Sequence, residues 1–246
     1  MEQKKSILVT GVAGGIGSAI SNFFKKNGYI VYGTDQLDEI YSEDLDYYIK
    51  IDLNKFSSDT EYRSQINYEL NNKIDNLNAL INNAAVQKLG AFEEIQMDDW
   101  QNSLNVNVTA PLFLSKILLP RLISNSGSIV NIGSIHNQLT KPNFVSYATS
   151  KSALIGLTKS MAVDLKNKVK VNAISPAAIE TDMLRAGFDN DEKSIQNLKD
   201  LHPTQSIGSP NDVAELCYFL VENKNQFLHG ANITLDGGIS AVLHDL

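Results

Sequence analysis

Ile7-Leu8-Val9-Thr10-Gly11-Val12-Ala13-Gly14-Gly15-Ile16-Gly17 is the stretch whose reading decides the fold. Three consecutive apolar residues running into glycines read as a strand buried on both faces, which is the mark of a parallel sheet. Ala19, Ile20, Phe23 and Phe24 then recur at helical spacing. Asn27-Gly28 ends that run, because glycine can take the left-handed conformation that stops a helix. Strand, glycine turn and helix together offer free backbone N–H groups and the positive end of a helix dipole, which suits a pyrophosphate. The spacing Gly11, Gly15, Gly17, with Gly14 between, departs from the commoner Gly-x-Gly-x-x-Gly. A tight strand–helix packing turn would also use glycines, so the loop alone leaves both readings open.

Outward from the loop, strand-like runs cover residues 29–34, 47–51, 77–81, 128–132, 168–174 and 231–235. Helical patterns cover 61–72, 98–123 with Asp98 as the start signal, 144–165 and 211–222. Residues 180–208 are polar, interrupted by Gly187, Pro203 and Gly208, and show no pattern that names an element. Strands alternating with helices predict an α/β fold: a single doubly wound domain, 1–246, with a seven-stranded parallel sheet and helices on both faces. Ligand-binding residues then belong at the carboxyl ends of the strands. Thr10 to Gly17, Asp35, Asp52, Asn82 to Ala85, Ser134 and Pro176 all fall there.

Composition narrows the function. A chain of 246 residues that is 43% hydrophobic and 20% charged suits one globular domain. A net charge of −7 argues against general nucleic-acid binding, which relies on cations at phosphates. No apolar run is read as reaching the roughly 18 residues of a membrane span. Met1-Glu2-Gln3-Lys4-Lys5-Ser6 leads straight into the first strand with no apolar leader core. The lone Cys217 excludes an intrachain disulfide and points to a reducing cytoplasm. It lies in an apolar helical stripe and reads as a core thiol. No His/Cys cluster has metal-ligand spacing, so no metal is expected.

Asp35 closes the second strand about 20 residues past the glycine loop, where an acidic group can accept hydrogen bonds from an adenosine ribose. A carboxylate there repels a 2′-phosphate, and no Arg or Lys at position 14 or 36 offsets it, so NAD is favoured over NADP. Asp52 could bond the adenine amino group or simply serve as a loop residue. Tyr147 and Lys151 are four apart, one turn along a helix. An ammonium beside a phenol favours the phenolate and makes the pair a candidate acid/base couple. Pro111 has no N–H to give the Asn107 carbonyl, which predicts a bent helix and a free carbonyl able to hold a water linking Lys151 to solvent.

Taken in order, these motifs resemble the classical short-chain dehydrogenase/reductase family over nearly the whole chain. Thr10-Gly11-x-x-x-Gly15-Ile16-Gly17 is similar to its cofactor loop, and Asn82-Asn83-Ala84-Ala85 to its Asn-Asn-Ala-Gly segment. Asn107, Ser134 and Tyr147-x-x-x-Lys151 match its catalytic residues. Pro176-Ala177 stands in place of Pro-Gly, Thr181 matches the threonine beside the nicotinamide carboxamide, and Asp236-Gly237-Gly238 resembles the terminal motif. The resemblance implies a Rossmann fold binding NAD through Gly11, Gly14, Gly15, Ile16, Gly17, Asp35, Asp52, Leu53, Asn83, Ala84, Tyr147, Lys151, Pro176, Ala177, Ile179 and Thr181. It also implies hydride transfer at a carbinol or carbonyl carbon, with Tyr147 as acid/base, Ser134 holding the substrate oxygen and Lys151 lowering the Tyr147 pKa. Ala85 and Ala177 depart from the usual glycines without removing a reacting group.

Loops 86–92, 135–146 and 177–208 should frame the substrate, the last as a mobile lid. Their polar residues Gln87, His136, Gln138 and Asn143 suggest a small polyol, sugar or hydroxy acid. Two other activities stay open: a 3-oxoacyl-carrier-protein reductase, which Asp35 and the net charge disfavour, and a non-catalytic dinucleotide sensor, which the intact catalytic set disfavours. The resemblance further implies a homotetramer or homodimer.

Overall fold

The computed structural model describes residues 4–243. The reading of the N-terminus as leaderless falls partly on residues 1–3, outside the described residues. The strands are β1 (Ser6–Thr10), β2 (Ile30–Asp35), β3 (Tyr47–Lys50), β4 (Ala79–Asn82), β5 (Ser128–Ile132), β6 (Lys170–Pro176) and β7 (Asn232–Leu235). They form one sheet in the order β3-β2-β1-β4-β5-β6-β7, and every adjacent pair is parallel. The chain reverses its direction of travel between β1 and β4, so the crevice for a ligand opens above those two strands.

Along β1 the side chains alternate between two cores, as the two-residue period of a strand requires. Leu8 joins Phe56, Leu70, Leu80, Leu114, Leu118 and Val171 on one face. Ile7 and Val9 join Ile20, Phe24, Val31, Ile81, Val213 and Cys217 on the other. The helices are α1 (Gly15–Lys26), α2 (Leu53–Ser58), α3 (Thr60–Lys73), α4 (Met97–Leu104), α5 (Ala110–Ser124), α6 (Val145–Leu165), α7 (Asp182–Ala186), α8 (Glu192–Asp200) and α9 (Pro210–Glu222). Helices α1 and α9 cover the second face, and the Cys217 thiol is fully buried there, as expected of a core thiol.

Four expectations need correction. The helix expected over 98–123 is two helices joined by a π turn, Asn105–Thr109, in which the Ala110 N–H donates to the Asn105 carbonyl. Asp98 does not cap it: the N-cap position is Gln96, and Asp98 and Asp99 sit in the first turn, where they complement the helix dipole. Taken through the π turn, Met97–Ser124 is long and apolar enough to cross a membrane by length and composition, contrary to the sequence reading. One face packs on the core, with Leu114, Leu118 and Leu122 fully buried, while Met97, Leu112 and Ile123 are exposed. Finally, 180–208 contains α7 and α8. Thr181 caps the first, Asp191 caps the second, and α8 buries only Ile195. A helix with one core contact carries almost no periodicity to read.

Candidate active site

A cleft of about 630 Å³ lies over the carboxyl ends of β1, β2, β4 and β5. Its floor at one end is the glycine loop. Gly11 has φ +72°, and its N–H donates to the Thr34 carbonyl at 2.7 Å, which ties the loop to β2. A Cβ at Gly11 would lie 2.9 Å from the Ala84 Cα. One at Gly17 would lie 2.1 Å from the Gly11 carbonyl oxygen. The loop is thus a cradle with no room for a side chain at Gly11 or Gly17. Gly14 stands at the N-cap of α1 without a side-chain cap, and no acidic residue occupies the first turn. The N–H groups there have no acid to compete with a phosphate, so the cradle fits a dinucleotide.

Asn83 latches the end of β4 to this loop. Its amide donates to the Thr10 carbonyl at 2.8 Å and the Gly11 carbonyl at 3.2 Å. The Thr10 hydroxyl in turn accepts from the Asn83 and Ala84 N–H groups. Asp35 lies at the mouth, with one carboxylate oxygen accepting from the Ala13 N–H at 3.1 Å and the other from the Gln36 N–H at 2.8 Å. Asp52 caps α2 through the Asn54 and Lys55 N–H groups, both bonded to the same carboxylate oxygen.

The cleft brings together Gly11, Gly14, Gly15, Ile16, Gly17, Asp35, Asp52, Leu53, Asn83, Ala84, Ser134, Tyr147, Lys151, Pro176 and Thr181. Ala177 and Ile179 do not line it: Ile179 is buried, and its backbone pairs with Gly208. Thr181 lies against the glycine loop, where a Cβ on Gly15 would come within 3.1 Å of its methyl, while its hydroxyl caps α7. Ala85 and Ala177 both keep negative φ, so neither position needed the glycine that usually stands there. Gln36 and Leu37 also line the cleft and follow from the strand-end rule that found Asp35. Met183 lines it from the segment 177–208 expected to frame the substrate; Asn102 lines it too, and nothing in its sequence neighbourhood marks it.

At the other end, Ser134 and Lys151 are buried, and Tyr147 is half-buried between them. The Lys151 ammonium donates to the Ile132 carbonyl at 2.7 Å and sits 5.7 Å from the centre of the Tyr147 ring. Burial lowers the Lys151 pKa to about 8. Burial also raises Tyr147 above the ordinary phenol value, and the Ser134 hydroxyl beside it opposes that rise. The lowering expected from Lys151 therefore does not appear in the protein alone; Ser134 is the group that counters burial.

Lys151 also makes the site costly. Its folded pKa lies below the unfolded one, so between about pH 8 and 10.5 the unfolded chain binds more protons and stability rises with pH. Below that window the folded protein carries a buried charge, at a penalty of roughly 3 kcal/mol. Lys151→Met is expected to be inactive, yet at least as resistant to urea as the parent at pH 7. A large loss of urea resistance would show that Lys151 is structural.

Asn107 lies beneath the cleft. Its side chain accepts from the Val86 N–H and donates to the Val86 carbonyl and the Ser150 hydroxyl, each at 2.9 Å. That fully uses the amide in holding loop 86 against α6. The expected helix break at Pro111 takes the form of the π turn, since proline removes the donor an α-helix would give Asn107 and a π turn would give Val106. His136 stacks on Phe144 at 4.5 Å and meets the Tyr147 ring edge-on at 5.8 Å. Its Nδ1 is buried without a partner, and burial together with Lys141 holds its pKa down. His136, Gln138 and Gln87 lie outside the cleft lining, with Gln138 and Gln87 exposed on its rim loops.

Comparison with known proteins agrees with this geometry. The profile of a family described as enoyl-(acyl carrier protein) reductase matches residues 11–240. The chain is 32% identical to dehydrogenase/reductase SDR family member 6 of Xenopus laevis, over 96% of this chain and 97% of that one. It is 32% identical to a 3-oxoacyl-[acyl-carrier-protein] reductase of Aquifex aeolicus, over 96% and 98%. It is 29% identical to glucose 1-dehydrogenase 2 of Bacillus subtilis, over 96% and 95%. Among solved structures, ligand-free aldohexose dehydrogenase of Thermoplasma acidophilum superposes with a TM-score of 0.91 at 30% identity, covering 99% of this chain and 97% of that one. ElxO with NADP bound superposes at 0.86 and 32%, over 98% and 100%. 4-Hydroxyisoleucine dehydrogenase complexed with NADH superposes at 0.87 and 27%, over 98% and 100%. With the glycine cradle, the strand order and the Ser134–Tyr147–Lys151 cluster in one cleft, the chain belongs to the short-chain dehydrogenase/reductase family of oxidoreductases.

Proposed function

We propose that this protein transfers hydride between NAD(H) and the carbinol or carbonyl carbon of a small polar substrate: a polyol, sugar or hydroxy acid. The observation that carries the reading is the convergence of Ser134, Tyr147 and Lys151 at one end of a cleft whose other end is a glycine cradle with Asp35 at its mouth. The bound nicotinamide supplies the hydride acceptor or donor. Tyr147 moves the proton at the substrate oxygen: as the phenol it donates during carbonyl reduction, and as the phenolate it accepts during alcohol oxidation. The Ser134 hydroxyl both donates and accepts, so it can hold that oxygen in either redox state. Lys151 holds its charge beneath the phenol, and the carbonyl of the π turn that Pro111 leaves without a donor, Val106 or Asn107, would seat the water that passes a proton onward. Helices α7 and α8 close over the substrate.

Asp35 supports NAD over NADP. Among the described residues, Lys151 is the one Lys or Arg that lines the cleft, and it belongs to the reacting end. A 2′-phosphate at the mouth would meet the Asp35 carboxylate with no cation to neutralise it. Asp35→Ala is expected to narrow the NAD/NADP preference at least about tenfold, read as the ratio of kcat/KM values. An unchanged ratio would move that role elsewhere.

Similarity to a glucose dehydrogenase and an aldohexose dehydrogenase supports a small polyhydroxy substrate. The likeness to a carrier-protein reductase keeps that activity in view. The lid, however, carries Asp182, Asp189, Asp191 and Glu192, a poor surface for an acidic carrier. We place the enzyme in the cytoplasm as a homodimer or homotetramer, with exposed Leu112 on α5 and Val163 on α6 suited to self-association. The test is a screen of NAD reduction across sugars, polyols and hydroxy acids, run beside NADPH oxidation with 3-oxoacyl thioesters. Turnover confined to the thioesters would overturn the substrate reading.

A further inference from the structure

Behind Ser134 three side chains close a ring. The catalytic serine leads into a 3₁₀ turn, Ile135–Asn137. The Asn137 amide donates to the Ser134 carbonyl and to the Ser175 hydroxyl at 2.8 Å. The Ser175 hydroxyl donates to the Asn232 Oδ1 at 2.7 Å, and the Asn232 amide returns to the Asn137 Oδ1 at 3.4 Å. The ring thus ties the end of β5 to β6 and β7. Ser175 is fully buried, and a Cβ on Gly133 would lie 2.8 Å from its oxygen, so the backbone just before Ser134 rests on the ring.

The geometry bears on one atom. Within the turn, the His136 N–H donates to the Ser134 Oγ at 3.2 Å. This occupies one acceptor site of the hydroxyl and leaves its proton and its other lone pair for Tyr147 and the substrate. The orientation of the hydroxyl therefore depends on the turn, and the turn depends on Asn137, which holds the Ser134 carbonyl through both its backbone N–H and its side chain. A satisfied polar ring at the edge of the core is rigid; one missing member leaves the others partnerless and the turn loose.

We infer that Asn137 is a positioning residue: locked by Ser175 and Asn232, it holds the Ser134 hydroxyl against Tyr147. The inference rests on the proposed reaction for its kinetic readout but not for its structural one. The charged and titratable groups around Tyr147 are Lys151 one turn along α6, His136 at its ring edge, and Asp182 of α7 across the cleft. Burial raises the phenol and Ser134 opposes it, so a loosened Ser134 moves Tyr147 ionisation to higher pH.

The experiment uses Asn137→Ala, the isosteric Asn137→Asp, which lacks the amide donor, and Asn232→Ala, which opens the ring from its far side. Tyr147 ionisation is read without any substrate, as the ultraviolet difference between each variant and the same variant carrying Tyr147→Phe. Both Asn137 variants are expected to ionise at higher pH than the parent. In turnover, kcat is expected to fall about tenfold or more with KM for the dinucleotide unchanged. Asn232→Ala should move both readouts the same way by less. A folded Asn137→Ala with the parent's ionisation curve would overturn the inference. If that variant does not fold, the Asn232→Ala curve decides in its place. A parent chain that turns over none of the screened substrates overturns the proposed reaction and leaves the ionisation curves to decide Asn137.

Discussion

Tyr147→Phe is expected to lower turnover about a thousandfold or more while leaving NADH affinity close to that of the parent. The substitution removes one oxygen from a half-buried ring and keeps its packing against His136 and Phe144. Ser134 and Lys151 stay in place, because the Lys151 ammonium is bonded to the Ile132 carbonyl and not to the phenol. What is lost is the group proposed to move a proton at the substrate oxygen. The parent's pH dependence follows from the same geometry. Burial holds Tyr147 above the ordinary phenol range, so alcohol oxidation, which needs the phenolate, should accelerate as pH rises. Carbonyl reduction, which needs the phenol, should slow over the same range. Turnover of Tyr147→Phe within about threefold of the parent would remove the tyrosine from the chemistry.

Gly17→Ala is expected to weaken dinucleotide binding by about a hundredfold and to lower the thermal midpoint. The added methyl would sit 2.1 Å from the Gly11 carbonyl oxygen and 2.8 Å from the Asn83 amide nitrogen. Neither can retreat cheaply. The Gly11 carbonyl already accepts from the Gly14 N–H at 3.2 Å and from the Asn83 amide, and Asn83 is the latch between β4 and the loop. The loop must open, and the first N–H groups of α1 then turn away from the pyrophosphate position. Overpacking of this kind costs roughly 1–3 kcal/mol, equivalent to a drop of about 2–4 °C per kcal/mol in a domain of this size. Gly14→Ala is the control: its Cβ would meet nothing closer than the Gly11 oxygen at 3.5 Å, an ordinary contact. Fluorescence titration with NADH and a thermal melt check both. Parent-like affinity in Gly17→Ala would mean that the loop is not the pyrophosphate cradle.

Much of this was legible in the amino-acid order. Largely apolar runs ending at Thr10, Asp35 and Asn82 name parallel strands because a strand buried on both faces has no polar side to show. The loop from Gly11 to Gly17, and Asp35 after it, announce a dinucleotide because their demands are local: left-handed backbone, absent side chains, an acid one strand later. Tyr147 and Lys151 are one helical turn apart, so their adjacency follows from helix geometry alone.

Other features have causes that cross the fold. Helix α8 is polar around a single buried Ile195, and no local pattern separates it from a loop. The long apolar run from α4 into α5 has the composition of a membrane span, and only its burial against the sheet identifies it as a core element. The Lys151 pKa is set by burial, a property of everything packed around it. Asn137, Ser175 and Asn232 come from three separate segments and meet only because β5, β6 and β7 lie side by side. The sequence by itself determined the alternation of strands and helices, the glycine turn and the Tyr147–Lys151 spacing, since these rest on interactions within a turn or two of chain, whereas the order of the strands in the sheet came from their long-range pairing. The protonation of Tyr147 and Lys151, and the ring that steadies Ser134, were decided by the tertiary structure, because desolvation and long-range hydrogen bonds exist only once distant segments have packed.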